Sequence, residues 1–324
     1  EPSNKKMVIM KKIAFQIDAP QGFNFQLDTS LGLMIELVKR GYEIHYYDPQ
    51  SLQYKNNQVF ALCKQFTNKG RGLESFSPSQ QAVLTNIEDF AAVFIRQNPP
   101  FDMAYITTTY LLEIASQRGV RVINNPAALR NFSEKPFPLE FPQFMPQTLI
   151  TTSFEQAEAF YNELGQEIIL KPLYAYGGDG VFCIEKGDKN LRSAFTLLLE
   201  RYENNPIICQ QYIPAVRTIG DKRIYLVAGE VLCYFARIPQ ENSGVSNSRL
   251  GGGYQPCELN AREVQIITSI SPRLKDLKID LVGLDVIGGA YLTEINITSP
   301  TGIALAEQIY NTNFIHKAVD LLGL

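Results

Sequence analysis

The stretch LVGLDVIGGAYLTEINITSP, Leu281 to Pro300, decides how the chain is read. Two apolar runs flank Gly288-Gly289, and paired glycines signal a hairpin because both can take positive φ. With a two-residue turn there, Ile287 faces Ala290 and Asp285 faces Leu292. Cross-strand partners share a face, as do residues two apart. Asp285, Glu294 and Asn296 therefore gather on one side as a compact set of oxygen donors. Hard oxygen ligands with few carboxylates suit Mg²⁺ held jointly with substrate phosphates. A solvated hairpin would also carry polar residues, but VGL, VI and INI are too apolar for one.

Working outward, LKPLYAYGGDGVF (Leu170 to Phe182) sets a lysine at the end of an apolar run and three glycines just after it. The order is not that of the nucleotide-binding G-x-x-x-x-G-K-[ST] loop, which leads into a helix. Successive glycines let backbone N–H groups approach an anion, and a neighbouring lysine adds a point charge for phosphate oxygens. Taken alone, the loop reads as a plain turn. Its company changes that: Lys135 in NFSEK, Arg223 in GDKR, Arg237 in CYFARIP, and the carboxylate–amide face above. Arg223 and Arg237 flank a hairpin turning near Ala228-Gly229; alone they read as surface arginines.

The first third has another grain. KKIAFQID (11–18), EIHYYD (43–48), AAVFIRQ (91–97) and VRVINN (120–125) read as short apolar strands. LDTSLGLMIELVKRGY and TTTYLLEIASQRG read as helices stopped by Gly41 and Gly119. Alternation of this kind implies a doubly wound, mostly parallel sheet ending near residue 127. A dinucleotide oxidoreductase would need G-x-G-x-x-G after the first strand; DAPQGFNF stands there with one glycine, which excludes it. Proline-dotted SEKPFPLEFPQFMPQ (133–147) reads as a connector. SFEQAEAFYNELG opens with a capping box, Ser153 to Gln156, and closes at Gly165. The strands beyond it pair largely antiparallel.

The 324 residues suffice for two or three domains, and 45% hydrophobic with 19% charged residues is an ordinary globular balance. A net charge of −3 gives no pull toward nucleic acid or an anionic membrane. No apolar run approaches the roughly 20 residues of a membrane span. EPSNKKMVIMKK is too polar for a secretory signal, so Glu1 to Lys6 read as an added leader, with Met7 or Met10 as the natural start. Cys63, Cys183, Cys209, Cys233 and Cys257 form no C-x-x-C pair, which points to a reducing, cytoplasmic compartment. His45 and His316 stand apart, so chemistry must rest on Lys, Arg, Asp, Glu and glycine backbone.

In chain order, SEK, LKP with YGGDG, QQYIP, GDKR, ARIPQ, GGG, GLDVIG and TEINITSPTG resemble the ATP-grasp ligases. More closely, they resemble the prokaryotic glutathione synthetase family. The likeness runs from FQID through RGYEIHYY, IRQNPPFD and VINNPAALRNFSEK to TSPTG, nearly the whole chain.

The resemblance implies a fold: a doubly wound α/β N-terminal domain (1–127) followed by α+β ATP-grasp domains with largely antiparallel sheets. These would be a central lid domain (128–213) carrying the glycine flap and a C-terminal domain (214–324) carrying the metal site. It implies ATP and Mg²⁺ as cofactors, and ligation of γ-glutamylcysteine to glycine through an acyl phosphate. Lys135 and Lys171 match phosphate-contacting lysines, and Gly177, Gly178 and Gly180 match the flap. Gln210, Gln211, Tyr212 and Ile213 match the adenine segment, and Asp221 begins the nucleotide-site motif. Asp285, Glu294 and Asn296 match the metal ligands. Arg223 and Arg237 match residues near the transferring phosphoryl group, and Arg96 a substrate-facing arginine. A homo-oligomer is also implied.

One departure stands out. Where the family has a basic residue followed by a GN and alanine-rich lid, this chain has ENSGVSNSRLGGG, with its basic residue Arg249 shifted. A ligase for a different acid or amine acceptor is therefore the alternative.

Overall fold

The computed structural model describes residues 11–76, 79–175, 177–238 and 253–324. The expected leader and both candidate starting methionines lie outside the described residues, as does Arg249.

The N-terminal layer is built on β1 (Lys12–Gln16), β2 (Glu43–Tyr47), β6 (Ala92–Ile95) and β7 (Arg121–Ile123). They run parallel in the order β2-β1-β6-β7. Both faces are covered, as near-continuous apolar strands require. Leu31, Leu33 and Leu37 of α1 (Thr29–Lys39) share a core with Ile13, Phe15 and Phe94. Leu112 and Ala115 of α2 (Met103–Gln117) pack with Ala14, Val93 and Ile95 on the other side. Asp28 caps α1 by accepting from Leu31 N at 2.7 Å, and Gly41 takes φ +87° just past its end.

The expectation of a mostly parallel sheet needs one addition. Strands β3 (Gln53–Lys55), β4 (Gln58–Gln65) and β5 (Val83–Asn86) extend it antiparallel beyond β2. A short helix α3 (Pro126–Asn131) follows β7.

The central layer contains β8 (Thr148–Thr151), α4 (Phe154–Leu164), β9 (Ile168–Pro172), β10 (Phe182–Ile184), α5 (Leu191–Arg201) and β11 (Ile207–Gln211). Its strands are antiparallel, in the order β10-β9-β11-β8. Phe154, Ile168, Leu170, Phe195, Leu198 and Ile207 form a core of its own. The expected capping box is half formed. Ser153 Oγ accepts from Gln156 N, but the Gln156 side chain turns away and accepts from Thr151 Oγ1 at 2.7 Å.

After α6 (Val216–Ile219), a third sheet holds β12 (Asp221–Val227), β13 (Glu230–Ile238), β14 (Gly253–Gln255), β15 (Leu281–Ile287) and β16 (Tyr291–Asn296). All its pairings are antiparallel, ordered β14-β13-β12-β15-β16. α7 (Ala261–Asp276) covers one face with Ile266, Ile270 and Leu274. α8 (Ile303–Tyr310) and α9 (Phe314–Leu321) pack toward α1.

Two apolar cores run continuously from the N-terminal sheet into this one, whereas the central core is separate. Buried Asn124 pins the junction. Its Nδ2 donates to the carbonyls of Leu281 and Ile297, and its Oδ1 accepts from the amides of Asp280 and Leu281.

The separate core has a measurable consequence. Phe195→Ala removes a fully buried ring and should cost about 3–5 kcal/mol. Native-state hydrogen exchange should then accelerate across β8–β11, α4 and α5 and leave β1, β6 and β12–β16 protected. Uniform acceleration would show that the central layer is not an independent unit.

Candidate active site

One face of the third sheet forms the floor of a cleft of about 530 Å³. In the ladders, Asp221 pairs with Arg237 and Ile287, Arg223 with Phe235 and Asp285, and Arg237 with Tyr254. Partners share a face, so one surface carries a strip of alternating charge.

The β15–β16 hairpin does not have the expected two-residue turn. Ile287 pairs with Tyr291, Val286 with Leu292, and a bulge then brings Asp285 opposite Glu294. An unbroken ladder from the Ile287–Tyr291 pair would have set Thr293 there and turned Glu294 to the other side. The extra residue, Thr293, donates its hydroxyl to Asp285 O at 3.1 Å. The expected face survives by this different register: Asp285, Glu294 and Asn296 all line the cleft.

Asp285 is the electrostatic centre. Arg223 grips it with two bonds, Nε–Oδ1 at 2.6 Å and Nη2–Oδ2 at 3.0 Å, and Arg237 Nη2 lies 3.0 Å from Oδ2. Arg237 also grips Asp221, Nε–Oδ1 at 2.5 Å and Nη2–Oδ2 at 3.0 Å. Burial pushes the Asp285 carboxyl upward, but the two guanidiniums outweigh it and hold the group well below the usual carboxylate range. Gly283 makes the grip possible, since an added Cβ would meet the Arg223 guanidinium at 3.2 Å.

The facing wall comes from the central layer. Lys171, at the end of β9, is 7% exposed, lines the cleft, and has no ion pair or side-chain hydrogen bond among the described residues. Burial lowers its pKa, with the charge of Glu294 working against that. A buried cation without a counter-ion is costly unless an anion arrives. Gly177 and Gly178 line the same wall with φ of +66° and +77°. Asp179 fastens the loop to α5, accepting from Arg201 Nη2 at 3.0 Å and Tyr202 Oη at 2.8 Å. Gly180, φ +72°, leaves room for that hydroxyl, which lies 2.7 Å from where a Cβ would stand.

Other expected residues divide into two groups. Gln211, Tyr212 and Ile213 line the cleft, as does Gln210, whose buried Nε2 donates to Thr148 Oγ1 at 2.8 Å. Lys135 lies buried behind the wall, where its Nζ donates to Glu134 Oε1 and Ala175 O, both at 2.5 Å, and stands 3.6 Å from Glu294 Oε1. Burial opposes its charge, but Glu294 and Glu134 raise its pKa overall. Arg96 is buried too, donating to Ser30 Oγ at 2.9 Å and Pro300 O at 2.8 Å. It supports the TSPTG segment from behind and is not part of the cleft lining. Sequence reasoning missed Glu134, Phe235 and Tyr254. Phe235 stands two residues before Arg237, so strand alternation could have found it.

The donor set fits Mg²⁺. Asn296 Nδ2 donates to Gly283 O and Asp285 Oδ2, which leaves its carbonyl oxygen for a cation beside Glu294. No group of three His, Cys, Asp or Glu among the described residues could hold an ion, so remaining ligands would come from phosphates and water.

Asp285→Asn should leave two buried guanidiniums short of charge and cost about 3–5 kcal/mol. The sign of the pH effect follows from the lowered folded pKa. The contribution of Asp285 is complete above its ordinary value of 3.8 and is lost as pH falls below it toward the depressed one. Thermal melts across acid pH should show a shallower acid limb in the variant than in the wild type.

The description "Prokaryotic glutathione synthetase, N-terminal domain" matches residues 11–130, and "Prokaryotic glutathione synthetase, ATP-grasp domain" matches residues 134–311. The glutathione synthetase of Agrobacterium fabrum is 41% identical over 92% of this chain and 91% of its own length. That of Vibrio cholerae is 36% identical over 97% of each. Among solved structures, the D-cycloserine synthetase DcsG matches with a TM-score of 0.66 at 12% identity, covering 96% of this chain and 98% of that one. The ATP-grasp ligase PsnB, complexed with minimal precursor, Mg and ADP, matches at 0.61 and 18% identity over 96% and 97%. At such identities these two likenesses speak for the ATP-grasp fold alone. The family matches and the curated relatives span nearly the full length, and the chain belongs to the prokaryotic glutathione synthetase family.

Proposed function

We propose that this chain joins γ-glutamylcysteine to glycine at the expense of ATP, giving glutathione, ADP and phosphate. The observation that carries the reading is buried Lys171, without an ion pair among the described residues, facing Asp285, Glu294 and Asn296 across one cleft. A triphosphate with its metal would supply the negative charge one wall lacks and engage the donors the floor presents.

The chemistry needs no covalent enzyme intermediate, in keeping with a cleft lined by no histidine or cysteine among the described residues. A carboxylate resists attack by an amine because oxide is a poor leaving group. An oxygen of the cysteinyl carboxylate attacks the γ-phosphorus and ADP departs, leaving an acyl phosphate. The glycine nitrogen then attacks the acyl carbon, phosphate leaves with its bonding electron pair, and the nitrogen sheds a proton.

The protein contributes alignment and charge. Lys171 faces the phosphates, and Lys135 behind it holds the root of the glycine loop. Arg223 and Arg237, held rigidly by Asp285 and Asp221, stand where charge moves to the acyl oxygen. Gln210 to Ile213 flank the adenine, and the amides of Gly177 and Gly178 close over the phosphates and exclude water. Mg²⁺ held by Asp285, Glu294 and Asn296 would neutralise phosphate charge.

Arg96 serves the dipeptide by bracing Pro300, and Arg249, outside the described residues, serves the acceptor. The functional division follows residues 1–127, 128–213 and 214–324. The cytoplasm suits the five cysteines, none of them disulfide-bonded. No described helix is long and apolar enough to cross a membrane. Small molecules are the expected partners, and a homo-oligomer is expected from the family.

ADP release should depend on γ-glutamylcysteine and glycine together. Release only with another amine would move the chain to the alternative acceptor class, and release with none would remove the ligase reading. Valine at position 178 must strain a backbone at φ +77°, so Gly178→Val should lower kcat by roughly tenfold or more in a folded protein. An unchanged kcat would remove the flap role.

A further inference from the structure

The charged strip of the cleft floor is bounded by apolar side chains at both ends. Ile213 and Ile287 mark one end, beside the segment assigned to adenine. At the other end, Phe235 stands directly opposite Arg223, and Tyr254 directly opposite Arg237. Their rings lie 5.9 Å apart, tilted at 71°. Leu305 lines the cleft beside them.

The TSPTG segment is pressed onto this pair. A Cβ at Gly302, φ +124°, would come within 3.1 Å of the Phe235 ring, and Arg223 Nη1 donates to Thr301 O at 3.1 Å. Phe235 is almost wholly covered at 3% exposure, but Tyr254, which also lines the cleft, is 37% exposed. An aromatic face left open beside two salt-bridged arginines asks for an apolar occupant.

We infer that Tyr254, set in place by the Phe235 ring beside it, holds the side chain of the residue whose carboxylate is activated, and so selects its thiol. This deepens the ligase reading and rests on it. The reacting carboxylate must lie over Arg223 and Arg237, and its own side chain is only two bonds away from the acyl carbon. The apolar floor positions paired directly with those arginines are the two aromatic ones. Sulfur against an aromatic ring edge is a favourable contact, worth about two- to tenfold in affinity. The aromatic pair therefore determines which dipeptide is used, and Arg223 and Arg237 act on whichever acid is seated.

The test compares kcat/KM for γ-glutamylcysteine and γ-glutamylalanine, with glycine and saturating ATP, in wild type, Tyr254→Ala, Tyr254→Phe and Phe235→Leu. Wild type should favour the thiol by about tenfold or more, the scale of discrimination an apolar pocket gives for one added group. Tyr254→Ala and Phe235→Leu should each shrink that ratio several-fold while KM for ATP stays within a factor of two. Tyr254→Phe should keep the ratio. An active wild type whose ratio is unchanged in both truncations overturns this assignment alone, as does an equal loss on both dipeptides. A wild type inactive on both dipeptides overturns the ligase reading and the assignment with it.

Discussion

Two guanidinium groups converge on the carboxylate of Asp285, and the rest of the cleft is organised around that grip. Arg223 comes from β12, Arg237 from β13 and Asp285 from β15, so three strands are cross-linked on one face. The charges are largely desolvated, which makes the cluster expensive to assemble and costly to break from one side. Its return is positional. A guanidinium held by two bonds cannot drift when a phosphoryl group and an acyl oxygen exchange charge beside it. Two glycines permit it: Gly283, which leaves space for Arg223, and Gly302, which lets the TSPTG segment lie against Phe235.

The opposite wall works by the reverse logic. Lys171 is buried with no ion pair among the described residues, whereas Lys135 is buried with two carboxylates near it. An incoming anion would complete the first. The other ties the root of the glycine loop, through Ala175 O, to Glu294 on the floor. The two lysines thus serve the same wall by different means.

Much of this was legible in the sequence because period-two alternation carries chemistry. Alternation alone puts Asp285, Glu294 and Asn296 on one surface, and the cleft contains all three. The turn was misread, since Gly288-Gly289 extends to a three-residue loop and the bulge at Thr293 restores the face. A bulge is set by tertiary packing and leaves no local signature. The β3–β5 extension was invisible for a related reason: β3 and β5 are three and four residues long and mostly exposed, too short for a pattern. Arg96, expected to face substrate, lies buried with Ser30 Oγ and Pro300 O as partners, a placement only the fold could set. Tyr254 follows three glycines and gave no cue.

The central layer shares no buried apolar cluster with its neighbours among the described residues, and this changes what nucleotide binding means. The two jaws of the cleft have no greasy seam holding them at a fixed gape. On the proposed reading, a triphosphate between Lys171 and the floor would be the adhesive that joins them. Nucleotide affinity would then include the work of bringing the jaws together. Contacts that held the two walls together beforehand would raise that affinity without altering one contact to the ligand.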